Sequence, residues 1–182
     1  AQARLLPTSS IQKHLLLMEA GALEFNLIIQ RMNGNHISGQ LTKQLFSKLE
    51  NSSKLKYKKF NNSKSYKNLL REIEKIETEF EFFLSDEDNR TSSEIIRKLL
   101  ISAKIYADSI TRTVESWEEV YLFYKKNIDN LDAIETNPYI SAEFENMVDR
   151  QSFIGNEAAN HAQEFVAAHI AYMEYLPTLL KE

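Results

Sequence analysis

The chain has 182 residues, 43% of them hydrophobic and 26% charged, and 22 Lys and Arg against 26 Asp and Glu give a net charge of −4. That balance excludes a disordered or fibrous chain and argues against general nucleic-acid binding. The absence of cysteine removes disulfides, thiolate metal sites and cysteine nucleophiles, while four glycines and three prolines are too few for the turns of a sandwich or barrel, so one all-α domain over residues 1–182 is expected.

The first segment places Ile11, Leu15, Met18, Ala22, Phe25, Ile29 and Met32 at alternating steps of four and three, the spacing of a helix with one buried seam. Ser9 or Ser10 would cap it, and Leu16, Leu23, Leu27 and Ile28 widen its apolar face. Asn33-Gly34-Asn35 reads as a stop, because both residue types accept the left-handed conformation that ends helices. A restart at Ser38 would use Ile37, Leu41, Leu45 and Leu49, which puts a break or kink between Gly34 and Gly39. Residues 51–65 read as a loop. Six lysines and no acid lie between Lys54 and Lys67, interleaved with Tyr57, Phe60 and Tyr66, and this block reads as a solvated surface.

Tyr66, Leu69, Ile73, Ile76, Phe80 and Phe83 resume the helical spacing, and Ser85 to Asn89 forms a turn. Thr91-Ser92-Ser93-Glu94 has the form of a capping box with Thr91 as N-cap. The longest seam follows: Ile96, Leu100, Ala103, Ala107, Ile110, Val114, Trp117, Tyr121, Tyr124, Ile128 and Leu131, a helix of about 40 residues or roughly 60 Å. Pro138 turns the chain and Ser141 would cap a last helix, with Met147, Gln151, Ile154, Ala158, His161, Phe165, Ala168, Tyr172, Tyr175 and Leu179 inward. A short connection between two long helices implies antiparallel neighbours, and the whole reads as an elongated antiparallel four-helix bundle broken near Gly34 to Gly39.

Glu157, His161 and Glu164 share one helical face, but the last seam puts His161 with Gln151 on the inward side, where each needs a polar partner. Trp117, Tyr121 and Tyr124, with Phe123 beside them, form an aromatic run. Core packing is the simplest account of all five inward residues. The functional alternative is a small-molecule or ion pocket lined by Gln151, His161, Trp117, Tyr121 and Tyr124, with Arg112 or Arg150 to hold a carboxylate. Phosphate-loop, nucleophile-elbow, kinase and zinc-protease motifs are all missing from the sequence. It therefore reads as a non-enzyme with no catalytic residue, metal or cofactor.

The long heptad helices, zero cysteines and inferred co-located termini resemble the extracytoplasmic four-helix-bundle sensor domains of bacterial chemoreceptors and sensor histidine kinases. That resemblance implies a periplasmic or cell-surface detector of a small molecule or ion, paired as a homodimer or with a partner protein. It would touch the membrane only through flanking segments. Ala1 in place of methionine, and the echo of Leu6-Pro7-Thr8 in Leu176-Pro177-Thr178, support the expectation of a piece excised from a longer chain. The other reading is a helical interaction module, such as an adaptor, secreted effector or surface adhesin.

Overall fold

The computed structural model describes residues 8–52, 62–81 and 90–181. Among them are six helices and no strand: α1 (Thr8–Ile37), α2 (Lys43–Ser52), α3 (Asn62–Glu79), α4 (Arg90–Lys126), α5 (Ala133–Thr136) and α6 (Pro138–Lys181). The chain is all-α, as its composition and periodicity require. Among the described residues no helix is long and apolar enough to cross a membrane.

In α1 the seam positions Ile11, Leu15, Met18, Phe25, Ile29 and Met32 are all buried. The helix does not stop at Asn33-Gly34-Asn35 but continues to Ile37, because one interior glycine costs only about 1 kcal/mol. The break comes at Gly39, whose φ is 74°. There the Gly39 N–H donates to the His36 carbonyl at 3.0 Å and the Gln40 N–H to the Asn35 carbonyl at 2.7 Å, the paired bonds of a Schellman ending. The chain restarts at Lys43 rather than Ser38, with Thr42 Oγ1 accepting from the Leu45 N–H at 3.1 Å. Ile37 is 81% exposed and takes no part in the next apolar face.

The two glycines should respond oppositely to substitution. A Cβ at either position would meet nothing within 4 Å, so conformation alone decides. Gly34→Ala is expected to stabilise by about 0.5–1 kcal/mol, and Gly39→Ala to destabilise by about 1–2 kcal/mol because it forces an L residue left-handed. Thermal denaturation of the two variants tests this, and equal shifts would contradict it.

The expected lysine loop is framed by helix more closely than its composition suggests, since α2 runs on to Ser52 and α3 begins at Asn62. Lys54, Lys56, Lys58, Lys59, Tyr57 and Phe60, the turn from Ser85 to Asn89, and Phe83 lie outside the described residues. Thr91 falls inside α4 instead of capping it, and Glu94 pairs with Arg90 at 3.3 Å. From Ile96 to Tyr124 every predicted seam position of α4 is buried. The helix ends after 37 residues at Lys126, and Ile128 and Leu131 reach the core from the turn that follows.

Asn137, not Ser141, caps α6: its Oδ1 accepts from the N–H of Tyr139 at 3.0 Å and of Ile140 at 3.3 Å. Pro138 occupies the first helical position, where its missing N–H costs nothing, so the proline that turns the chain also opens the helix.

The helices share two apolar cores. The first joins Ile11, Leu15 and Met18 of α1, Leu69, Ile73 and Ile76 of α3, the stretch of α4 from Ile96 to Ile110, and Phe165, Ala168 and Tyr172 of α6. The second joins Phe25, Ile29 and Met32 of α1, Phe46 of α2, Trp117 to Tyr124 of α4, Ile134 of α5 and Met147 of α6. Thus α1, α4 and α6 pass through both cores, whereas α3 serves one and α2 the other. The order of residues in the two cores sets α1 parallel to α4 and α6 antiparallel to both. The most extensive packing is between α4 and α6, and α1 packs on α3 and α4. Between α1 and α6 the contact is made by side chains, Gln12 Nε2 meeting His169 Nε2 at 3.1 Å.

Candidate functional site

Helix α4 is the hub of a series of tyrosine contacts, each reaching across to another helix. Tyr106 donates to Glu19 of α1 and Tyr121 to Glu50 of α2, both through short hydrogen bonds. Tyr124 donates to Asn33 Oδ1 of α1 at 2.6 Å. Tyr66 of α3 donates to Asp108 at 3.4 Å, and the hydroxyls of Ser92 and Tyr175 of α6 meet at 2.8 Å. These phenols sit where a large apolar ring fills a core and its polar tip must still be satisfied.

The second core holds the aromatic run singled out in the sequence. Trp117, Tyr121 and Tyr124 are buried together there, and Tyr124 is fully so. Tyr121 stacks on Phe46 with centroids 5.9 Å apart and rings 8° from parallel. Tyr124 is flanked by His36 at 5.5 Å and Phe144 at 5.9 Å, and Phe144 also stacks on Phe123 at 5.5 Å. Tyr121 and Tyr124 are therefore packed against neighbouring rings, and their hydroxyls are taken by Glu50 and Asn33.

Glu50 is buried, with only 8% of its surface exposed. Besides Tyr121 it faces Lys125 Nζ at 3.4 Å, and that ammonium lies 5.7 Å from the centroid of the Tyr121 ring. Burial pushes the Tyr121 phenol well above its ordinary value, and the hydrogen bond and charge of Glu50 raise it further. Tyr106 is raised by burial and then by Glu19, Tyr124 by burial, and Tyr66 by burial and then by the charge of Asp108. Such phenols are firm hydrogen-bond donors near neutral pH, the opposite of what a general base needs.

The sign of the resulting pH dependence follows from linkage. Below the ordinary phenol value of 10.0 both the folded and unfolded chains keep these protons and the stabilisation is complete. Above it the unfolded chain ionises first, so stability falls as pH rises from 10 toward the raised folded values. Near-ultraviolet phenolate absorbance should show Tyr106, Tyr121 and Tyr124 ionising only together with loss of helicity. Full phenolate formation while the helices persist would refute this.

The remaining sequence-predicted residues do not converge on the aromatic run. Gln151 and His161 are half-buried rather than core, and ten residues of helix separate them by about 15 Å. The amide of Gln151 folds over Gly155, its Nε2 lying 3.8 Å from where a Cβ would stand on that glycine. His161 meets no facing helix through its Nδ1, which instead lies 3.3 Å from Glu164 one turn along. Tyr106 and Phe165, with centroids 6.1 Å apart, fill the core at that level. Arg112 is exposed, and Arg150 pairs with Glu119 at 3.2 Å. Among the described residues no group of three His, Asp or Glu side chains could hold a metal.

The side chains that sequence reasoning passed over are the partners: Glu19, Asn33, His36, Phe46, Glu50 and Phe144. Glu50 stands four residues after Phe46, on the same helical face, and that spacing was the available signal. Outside the cores, a surface depression of about 300 Å³ between α4 and α6 is floored by Phe123 and Met147 and rimmed by Glu119, Lys126, Glu143 and Arg150. Leu16, Leu23 and Leu27 of α1 and Val166, Ile170 and Met173 of α6 are exposed, as are Ile101, Ile105 and Leu122 of α4. No family model matches the chain, and no curated protein or solved structure matches it either.

Proposed function

We propose that this chain is a non-catalytic helical interaction module, an antiparallel bundle in which α1, α4 and α6 are full staves and α2 and α3 share the remaining one. The observation that carries this reading is the exposed apolar side chains at heptad steps on α1, Leu16, Leu23 and Leu27, with Val166, Ile170 and Met173 at matching steps on α6. These apolar side chains fall in rows rather than singly on a water-facing side, which supports a surface that a partner covers, and steps of three and four suit a helical partner. A photo-crosslinking residue at Leu23 or Ile170 should yield protein adducts in the native cell, while the same residue at exposed Lys48 should not. Equal adduct yields at all three positions would sink the reading.

A second reading is an extracytoplasmic sensing domain, and one observation favours it. Helices α4 and α6, of 37 and 44 residues, pack antiparallel as rods about 55 Å or more long, a geometry able to carry a small axial shift. It predicts a small molecule or ion that raises the melting temperature, with the shift lost in Gln151→Ala and His161→Ala. A broad screen without such a compound would count against it.

A further inference from the structure

The exposed faces of α1 and α6 turn to the same side of the molecule and meet at Gln12 and His169. Leu16 lies four residues beyond Gln12 and Leu23 eleven, and Val166 and Met173 lie three before and four after His169. All share helix faces with the contacting pair. Leu16, Leu23, Leu27, Val166, Ile170 and Met173 are each 48–62% exposed, and no charged residue interrupts the row Leu16, Ala20, Leu23, Leu27 or the row Ala159, Gln163, Val166, Ile170, Met173.

Magnitude and charge identify what covers these faces. On the transfer scale a fully exposed side chain of this size presents roughly 60–120 Å² of apolar surface, so six at half exposure leave about 200–400 Å². A standard interface buries about 800 Å² per partner, a little over half of it apolar, so these six side chains supply from just under half to most of the apolar part of one such patch. Its two borders differ in sign. The α1 border carries Lys13, Glu24 and Arg31, two cations and one acid, whereas the α6 border carries Glu145, Asp149 and Glu174. A two-fold axis along the helices lays each copy's α1 on the other's α6, setting Leu16 beside Val166 and Leu23 beside Ala159, with Lys13 and Arg31 on the side of the acidic border.

We infer that a second copy of this chain covers the α1/α6 face in a two-fold dimer, an inference that rests on the interaction-module reading and names its partner. Counting along the antiparallel pair from Gln12 and His169 sets Arg31 level with Asp149 of the other copy. Sedimentation of the full chain over a concentration series should give a dimer. Leu23→Glu and Ile170→Glu should each raise the dissociation constant at least about 100-fold with circular dichroism and melting temperature of the monomer unchanged, while Leu122→Glu, on α4, leaves it alone. Arg31→Glu and Asp149→Arg should each weaken the dimer about tenfold and restore it when combined, which loss of folding would not do. A monomer at every concentration, or a dimer indifferent to Leu23→Glu and Ile170→Glu, overturns the second copy. If that happens while Leu23 still crosslinks to a different protein, only the choice of partner has failed; without any adduct the module reading fails too.

Discussion

Tyr124→Ala should lower the unfolding free energy by about 4 kcal/mol, in the range for truncating a large buried aromatic side chain. The Tyr124 side chain is fully buried and wedged between rings on three elements: His36 near the end of α1, Phe123 on α4 and Phe144 on α6. Its loss would leave a cavity the size of a ring in a core that α1 and α6 also build, so partial collapse could not close it. For a chain of this length the melting temperature should drop by roughly 10 °C. Tyr124→Phe separates packing from hydrogen bonding, since it removes only the donor to Asn33 Oδ1, and about 1 kcal/mol is expected. Equal losses in the two variants would mean that the hydrogen bond, not the ring, holds this end together.

The second large effect is local. Glu50→Ala is expected to cost about 2 kcal/mol, because it strands the Tyr121 hydroxyl in a buried position and removes the carboxylate that faces Lys125. The consequence should fall on α2. That helix is held to α4 by the Phe46 ring on Tyr121 and by Glu50, and to the turn after α4 by Lys43 with Asp129 at 2.7 Å, and the last pair is exposed and worth little. Amide exchange over residues 43–52 should rise far more than over residues 96–110. A double-mutant cycle with Tyr121→Phe should give a coupling energy of about 1–2 kcal/mol. No coupling, or unchanged protection of α2, would show that Phe46 with Leu45 and Leu49 docks the helix without the carboxylate.

The sequence disclosed most of this core. Every seam position from Ile11 to Met32 except the half-buried Ala22, and every one from Ile96 to Tyr124, is buried, since a period of 3.5 over three to four heptads has few competing explanations. Helix ends were less legible, for a physical reason. Gly34 and Gly39 look alike in a sequence, and only the backbone bonds closing on His36 and Asn35 select the second. Asn137 and Ser141 are both good caps, and the proline after Asn137 decides between them. At the candidate site the aromatic side chains were visible but their partners were not. Asn33 read only as part of a helix stop and Glu50 gave no signal, because neither shows its partner until α1 and α2 are folded against α4. His161 and Gln151 keep the seam spacing without its burial, because α1 does not pack closely on α6 at their level and periodicity alone cannot report a missing neighbour.

Ser102, Ser109 and Ser116 recur every seven residues along α4, in the row that carries Tyr106 toward Phe165 and Phe123 toward Phe144 of α6. Each buried hydroxyl donates to the carbonyl three residues before it, on Leu99, Tyr106 and Thr113. These donors are already committed to their own helix, so the serines behave toward α6 as slightly larger alanines. They permit close approach without fixing position along the axis. The register of the longest interface in the molecule is then set by what flanks the serines, by Tyr106 on Phe165 and Phe123 on Phe144, and at one end by Ser92 with Tyr175. Position along the α4–α6 axis therefore rests on interlocking rings, and a serine-to-alanine change at any of the three sites should leave it unmoved.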